Sequence, residues 1–352
     1  MTLRTAAAAL VLAIASTAGA AAPASGTEHT YSAVALAAFA NGPGTQIYTL
    51  ALGADGHVVS AGPFGGRHKA LMTINDVRGT TAVGTRQDGS SADTDIVTGH
   101  TDVVTVDLVT GAVKVVAHHG YAPVLSYNAR RVLYVKESFS PKPGVQPILS
   151  VPVGGGTPMK VLSPPKGRNF DALATAQDGH TVFATASTPL QGGTQADFAR
   201  LRPPTLYRFD VGHPKLTKVL LNHPLYGVAC GSLVVDLAGN HLALSCNITQ
   251  GDDPAVDIVG LTTPTPNPSG FPYKHPVHKV PRAVGLRGVT AWSPDGQWVD
   301  ATRANATSND SFDLARPFGT AHHKLTGLPA GTLVESVTLV RSAGTLNPLG
   351  VP

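Results

Sequence analysis

The sequence is short of charge and of aromatic rings: Asp, Glu, Lys and Arg make up 14% of its 352 residues, and Phe, Trp and Tyr 6%. Its basic residues nowhere gather into the dense block that a phosphate backbone requires, and the formal charge is only +4 at pH 7. Nucleic acid is therefore not an expected partner. With Phe139 and Phe198 among the few rings in the long polar segments, there is little stacking surface for sugars, and carbohydrate binding is the least expected function. No Gly-x-Ser-x-Gly elbow occurs, and no α/β portion that could carry a Ser-His-Asp triad. Gly65-Gly66 and Gly154-Gly155-Gly156 lie between apolar strands rather than ahead of a helix, so they read as turns and not as a phosphate loop. Beyond the N-terminus no apolar run is long enough for a membrane span.

Glycine (38) and proline (28) are plentiful, and 42% of the residues are hydrophobic. Long helices would be broken by that much Gly and Pro, whereas short strands joined by many turns need it. The apolar content requires a buried core over most of the chain. At the N-terminus, Arg4, the apolar run Ala6–Ala15 and Ala18-Gly19-Ala20 have the order of a secretory signal peptide, cut after Ala20. The small polar residues 21–30 are expected to be disordered. No cysteine adjoins the cleavage site to take a lipid, so the mature protein is expected to be exported, soluble and monomeric. The two cysteines, Cys230 and Cys246, flank a turn almost symmetrically. They are either two buried thiols or a bridge across a hairpin, and the oxidising compartment favours the disulfide.

Trp292-Ser293-Pro294-Asp295-Gly296-Gln297-Trp298-Val299 reads as strand, tight turn, strand. Degenerate copies recur about every fifty to sixty residues, the spacing of a repeat architecture. They are Asp76-Val77-Arg78-Gly79, Tyr127-Asn128-Ala129-Arg130, Ala176-Gln177-Asp178-Gly179 and Asp236-Leu237-Ala238-Gly239, each followed by a short apolar strand. On these residues the chain resembles the TolB-like, WD40-like propeller repeat, whose signature is Ser-Pro-Asp-Gly before a short strand. The resemblance spans about Tyr31–Val340 and implies an all-β propeller that binds other proteins through its surfaces. TolB proteins carry a further N-terminal domain for which residues 21–30 leave no room, so a role in envelope transport is not carried over.

Between the turns the apolar runs fall into units of four strands, on the pattern of 71–75, 80–85, 102–108 and 112–118, and only the first unit is incomplete. Ser32–Phe39, Ile47–Leu52 and Val58–Ala61 lack a first strand, and Val334–Val340 has no sheet of its own. Pairing the two closes the ring without an exposed edge. The expectation is a six-bladed β-propeller over 31–341 with a tail at 342–352. A seven-bladed ring and a pair of β-sandwiches are the competing readings.

In such a fold the second-to-third-strand links and the links between blades share one face around the central channel. Long polar links on a rigid scaffold are where binding resides, and Asp95, Arg202, Asp252, Asn305 and Asp310 are the candidate residues there. Asp88, Ser90, Asp93 and Asp95 offer oxygen ligands but lack the calcium-loop spacing and its terminal Glu, so calcium is a secondary expectation and no cofactor is assigned. The pairs His118-His119 and His322-His323 would point to opposite faces of a strand, and the prolines around His275 and His278 forbid a shared helical face. No metal ligands and no catalytic residues are assigned. The leading reading is a non-enzymatic exported scaffold that binds an unknown protein or small molecule. The alternative is a channel-mouth enzyme of lactonase or sugar-dehydrogenase type, using a metal or quinone.

Overall fold

The computed structural model describes residues 33–40, 45–52, 58–68, 70, 72–87, 100–126, 128–138, 142–176, 178, 180–189, 201–225, 227–236, 238–247, 255–261, 274–279, 286–292, 296, 299–303, 311–315, 322–324 and 333–339. The expected leader, the segment 21–30 and the tail 342–352 lie outside them. Every regular element described is a strand.

The chain opens with β1 (Ala33–Ala40), β2 (Thr45–Leu52) and β3 (Val58–His68). Next come β4 (Met72–Arg78), β5 (Thr81–Gln87), β6 (Thr101–Asp107) and β7 (Val113–Ala117), then β8 (Gly120–Leu125), β9 (Arg131–Lys136), β10 (Ile148–Pro152) and β11 (Met159–Leu162). These are followed by β12 (Asn169–Thr175), β13 (Thr181–Ser187), β14 (Thr205–Asp210) and β15 (Thr217–Lys218), and by β16 (Ala229–Val235), β17 (His241–Asn247), β18 (Ala255–Gly260) and β19 (Val277–Lys279). The last are β20 (Leu286–Trp292), β21 (Val299–Arg303), β22 (Ser311–Ala315), β23 (His322–Lys324) and β24 (Leu333–Leu339).

The strands pair as six antiparallel four-stranded sheets, five of them consecutive in sequence and one ordered β24-β1-β2-β3. The sheets β4–β7, β8–β11, β12–β15 and β16–β19 are described with most of their side chains, the other two chiefly by backbone pairing. Each leading strand packs on the next, β24 on β4, then β8, β12, β16, β20 and back to β24. The described residues therefore form an all-β propeller fold.

The core consists of layers between neighbouring blades. Val83 and Val103 meet Leu125, Val132 and Tyr134 across one such layer, while Leu133 and Ile148 meet Phe170 and Val182 across the next. A blade covered on both faces buries successive residues rather than alternate ones. That is why Val103, Val104 and Val106 are all 0% exposed and why these strands read as unbroken apolar runs.

At the lower end of the axis, polar groups tie the leading strands together. Asp76 accepts from the N–H groups of Val77 (2.9 Å) and of Leu125 on β8 (3.0 Å). Arg78 reaches past β8 to donate to the Thr175 carbonyl (3.0 Å) and hydroxyl (2.6 Å) at the end of β12. Trp292, the ring that opens the Ser-Pro-Asp-Gly stretch, is buried against the preceding blade, donating through Nε1 to the Val234 carbonyl (3.1 Å) and stacking on His241.

Local register departs from the sequence reading in three places. Asp76, Val77 and Arg78 lie inside β4 rather than in a turn, and the turn is Gly79-Thr80. The copy placed at Tyr127–Arg130 is shifted by one residue. Ala129, at φ +49°, occupies the left-handed position that Gly239 (+70°) and Gly296 (+69°) fill elsewhere, so the repeat is Ser126-Tyr127-Asn128-Ala129. The strand expected at Leu216–Leu221 pairs only over Thr217–Lys218. Beyond it the chain turns to the next blade, where the Asn222 N–H donates to the His275 carbonyl (2.9 Å).

Candidate functional site

Antiparallel alternation fixes which links share a face. First-to-second-strand links span 79–80, 126–130, 176–180, 236–240 and 293–298, whereas second-to-third links span 88–100, 137–147, 188–204, 248–254 and 304–310, with 41–44 as the short counterpart in the sheet ordered β24-β1-β2-β3. The longer set lies with the links between blades, here called the upper face. Four of the five expected binding residues, Asp95, Asp252, Asn305 and Asp310, lie outside the described residues, as do Asp88, Ser90 and Asp93. Arg202 is described and exposed on the upper face.

Inside the ring, β4, β8, β12, β16 and β20 line a cavity of about 190 Å³. Its walls are mostly small or apolar, among them Ala122, Ala172, Ala174, Gly231 and Val234. Asp76 also lines it, but both carboxylate oxygens are already held by the two backbone N–H groups.

The richest polar constellation described stands on the upper face between the second and third blades. His100 and Thr101 open β6, His118 and His119 link β7 to β8, and Glu137 follows β9. The donor atoms of His100, His119 and Glu137 all lie within 4.8 Å of one another. His100 Nδ1 is 3.6 Å from Glu137 Oε2, and the two imidazoles meet edge to face with centroids 4.0 Å apart. Thr101 holds the carboxylate, donating from its N–H to Oε2 (3.1 Å) and from its hydroxyl to Oε1 (3.2 Å). The Glu137 N–H donates to the His119 carbonyl (2.7 Å), tying the blade link to the end of β9. His119 sits at φ +56°, a conformation few residues other than Gly adopt.

A second polar group adjoins it. Arg86 donates to Asp102 Oδ2 (2.8 Å), and His118 Nδ1 lies 2.8 Å from Asp102 Oδ1. Burial and then the Arg86 charge lower the pKa of nearby His68. Tyr121 donates to the Phe170 carbonyl, and burial foremost, with the charges of Asp171 and Glu137, raises its hydroxyl well above the usual range.

Around the same rim Asp171, near the start of β12, accepts from Ser187 Oγ (2.7 Å). Burial drives its pKa up to about 8, against the opposing effects of Ser187, Arg168 and the Cys230 N–H. Cys230 and Cys246 face each other across β16 and β17 and are joined as a disulfide at this end of the blade.

Sequence reasoning missed the His100–His119–Glu137 cluster for two reasons. The sequence places His118-His119 on a strand, where side chains alternate, but the pair lies in a link whose left-handed backbone turns His119 toward His100. The three residues also come from separate strand ends, so no spacing announces them. The signal that was available is topological: all three flank links assigned to one face. His275 instead bonds the Gly260 carbonyl and His278 is exposed. For His322 and His323, only strand placement is described.

Fold and rim together define a β-propeller with one polar, long-linked face. No protein-family model matches the sequence, and no curated protein matches it. Among solved structures the chain is similar to TolB from Acinetobacter baumannii, with a TM-score of 0.57 and 14% identity over 88% of this chain and 66% of that one. It also matches the periplasmic gluconolactonase of Pseudomonas aeruginosa (TM-score 0.49, 15% identity, 88% of this chain and 99% of that one). An oligogalacturonate lyase in complex with manganese follows (0.46, 13%, 78% and 74%). At 14% identity the likeness to TolB is one of fold.

Proposed function

We propose that the protein is an exported binding scaffold, a single six-bladed ring in which all six sheets serve as blades. Its upper face receives a protein or small-molecule partner. The observation that carries this reading is the contrast between two sets of links: the second-to-third links 88–100, 137–147 and 188–204 at the upper mouth are long, whereas the first-to-second links at the lower end are short and tied by Asp76, Arg78 and Thr175, and 261–276 is the long link at that end. Variable-length segments on a rigid frame are the usual place for recognition. The cavity supports binding rather than turnover, since the one acid named on its wall is engaged by backbone donors. A disulfide and a leader-like N-terminus support an extracytoplasmic setting. Among the described residues no helix is long and apolar enough to cross a membrane.

The test is site-specific photo-crosslinking in the producing cell. A crosslinker replaces Arg202 on the upper face or Val109, 70% exposed on the lower face. Discrete adducts from position 202 alone are expected. Equal labelling from both faces, or turnover of a panel of lactones and sugars by the purified protein, would overturn the scaffold reading.

A further inference from the structure

From the side chains at the junction of the second and third blades, we propose a binding site for a first-row divalent cation of the zinc type, with His100, His119 and Glu137 as ligands. The inference stands on that geometry and is independent of the scaffold reading.

Two imidazoles and one carboxylate form a donor set suited to zinc and its neighbours, whereas calcium and magnesium call for oxygen alone. With ligand bonds of about 2.0–2.1 Å, donors on a tetrahedral ion stand roughly 3.3 Å apart. His100 Nδ1 and Glu137 Oε2, at 3.6 Å, already meet that spacing. The His119 nitrogen lies within 4.8 Å of both, so a ring rotation of the exposed His119 completes the set. Glu137 is held in place from behind by the N–H and hydroxyl of Thr101, the outer support that ligating carboxylates have in metal sites.

The backbone supplies a second observation. Keeping a non-glycine residue such as His119 at φ +56° costs on the order of 1 kcal/mol. The Glu137 N–H bond to the His119 carbonyl fixes that geometry, which aims the ring at His100 instead of into solvent. The side chain of Glu137 is 15% exposed and that of His100 42%, so one flank is anchored and the other open. A fourth position would therefore take water, or a donor atom from whatever docks on the upper face.

His118 is the internal control, because it is adjacent in sequence but directed to Asp102. The experiment uses untagged full-length protein, stripped with chelator and titrated with zinc against a chromophoric competitor at neutral pH. One equivalent is expected to bind. His119→Asn, which tolerates the left-handed backbone, and Glu137→Gln should each weaken binding by at least about 10-fold, the scale of loss at disturbed metal sites. His118→Asn should bind as the parent does. Cobalt in place of zinc should give visible d–d absorption that His119→Asn abolishes. Absence of stoichiometric binding by the parent protein, or parent-like binding by both ligand variants, overturns the proposal.

Discussion

Asp171 shows how one enclosed side chain sets a pH dependence. An unfolded aspartate releases its proton near pH 4, whereas here burial holds it to about pH 8. The folded state therefore binds the extra proton between those values, and stability contributed by this group is whole below about pH 4 and falls as the pH rises toward 8. Asp257 on β18 acts in the same sense up to about pH 6, its burial outweighing the nearby Lys279 charge. Asp171→Asn removes the larger contribution and can still engage Ser187. Its melting temperature should gain on that of the parent protein with each step from pH 4 to 8 and hold a constant lead above. Parallel curves across that range would show that Asp171 titrates normally.

At the scale of elements, turns and staples set the local margins. Ala129 fills a left-handed position where its counterparts are Gly239 and Gly296. Ala129→Gly should raise stability by about 1 kcal/mol, the usual cost of a Cβ in that conformation, read as a shift in the denaturant midpoint at unchanged slope. The Cys230–Cys246 bridge encloses 16 residues of separation. Reduction, or the double substitution to Ala, should cost about 3 kcal/mol if chain entropy dominates. A midpoint that ignores reductant would mean the paired strands alone hold that rim. Gly84 is the stricter case, because a methyl there would run into the Thr73 carbonyl of the neighbouring strand.

Much of this level was legible in the sequence. Apolar runs bounded by Gly, Pro and Asp marked β16 and β17 closely, because burial on both faces leaves contiguous hydrophobic stretches. The pairing of Cys230 with Cys246 followed from their symmetry about the turn. Less legible were positions where tertiary contact overrides local pattern. Asp76 and Arg78 resemble turn residues, yet they continue β4 because partners on β8 and β12 satisfy them. The candidate site was harder still. His100, His119 and Glu137 are brought together only by two blades meeting, and nothing in the neighbours of any one of them signals the other two.

For the whole molecule, the seam decides integrity. β24 pairs antiparallel with β1 from Ala35↔Leu339 to Ala40↔Leu333, and Thr338 donates to the Ile74 carbonyl of the adjoining blade (2.6 Å). A chain ending at residue 332 would leave β1 as an open edge and β4 without that neighbour. It should aggregate or elute as an expanded species on gel filtration and be cut readily by trypsin. A compact, protease-resistant monomer of that length would mean the ring does not depend on its seam.

The same seam imposes a timetable. β1 leaves the ribosome long before β24, so the sheet they share cannot assemble until β24 has emerged. Closing so long a loop makes this a late and slow event. Until then the nascent chain holds β1, β2 and β3 with one edge of β1 unpaired, and the ring stays open at that point.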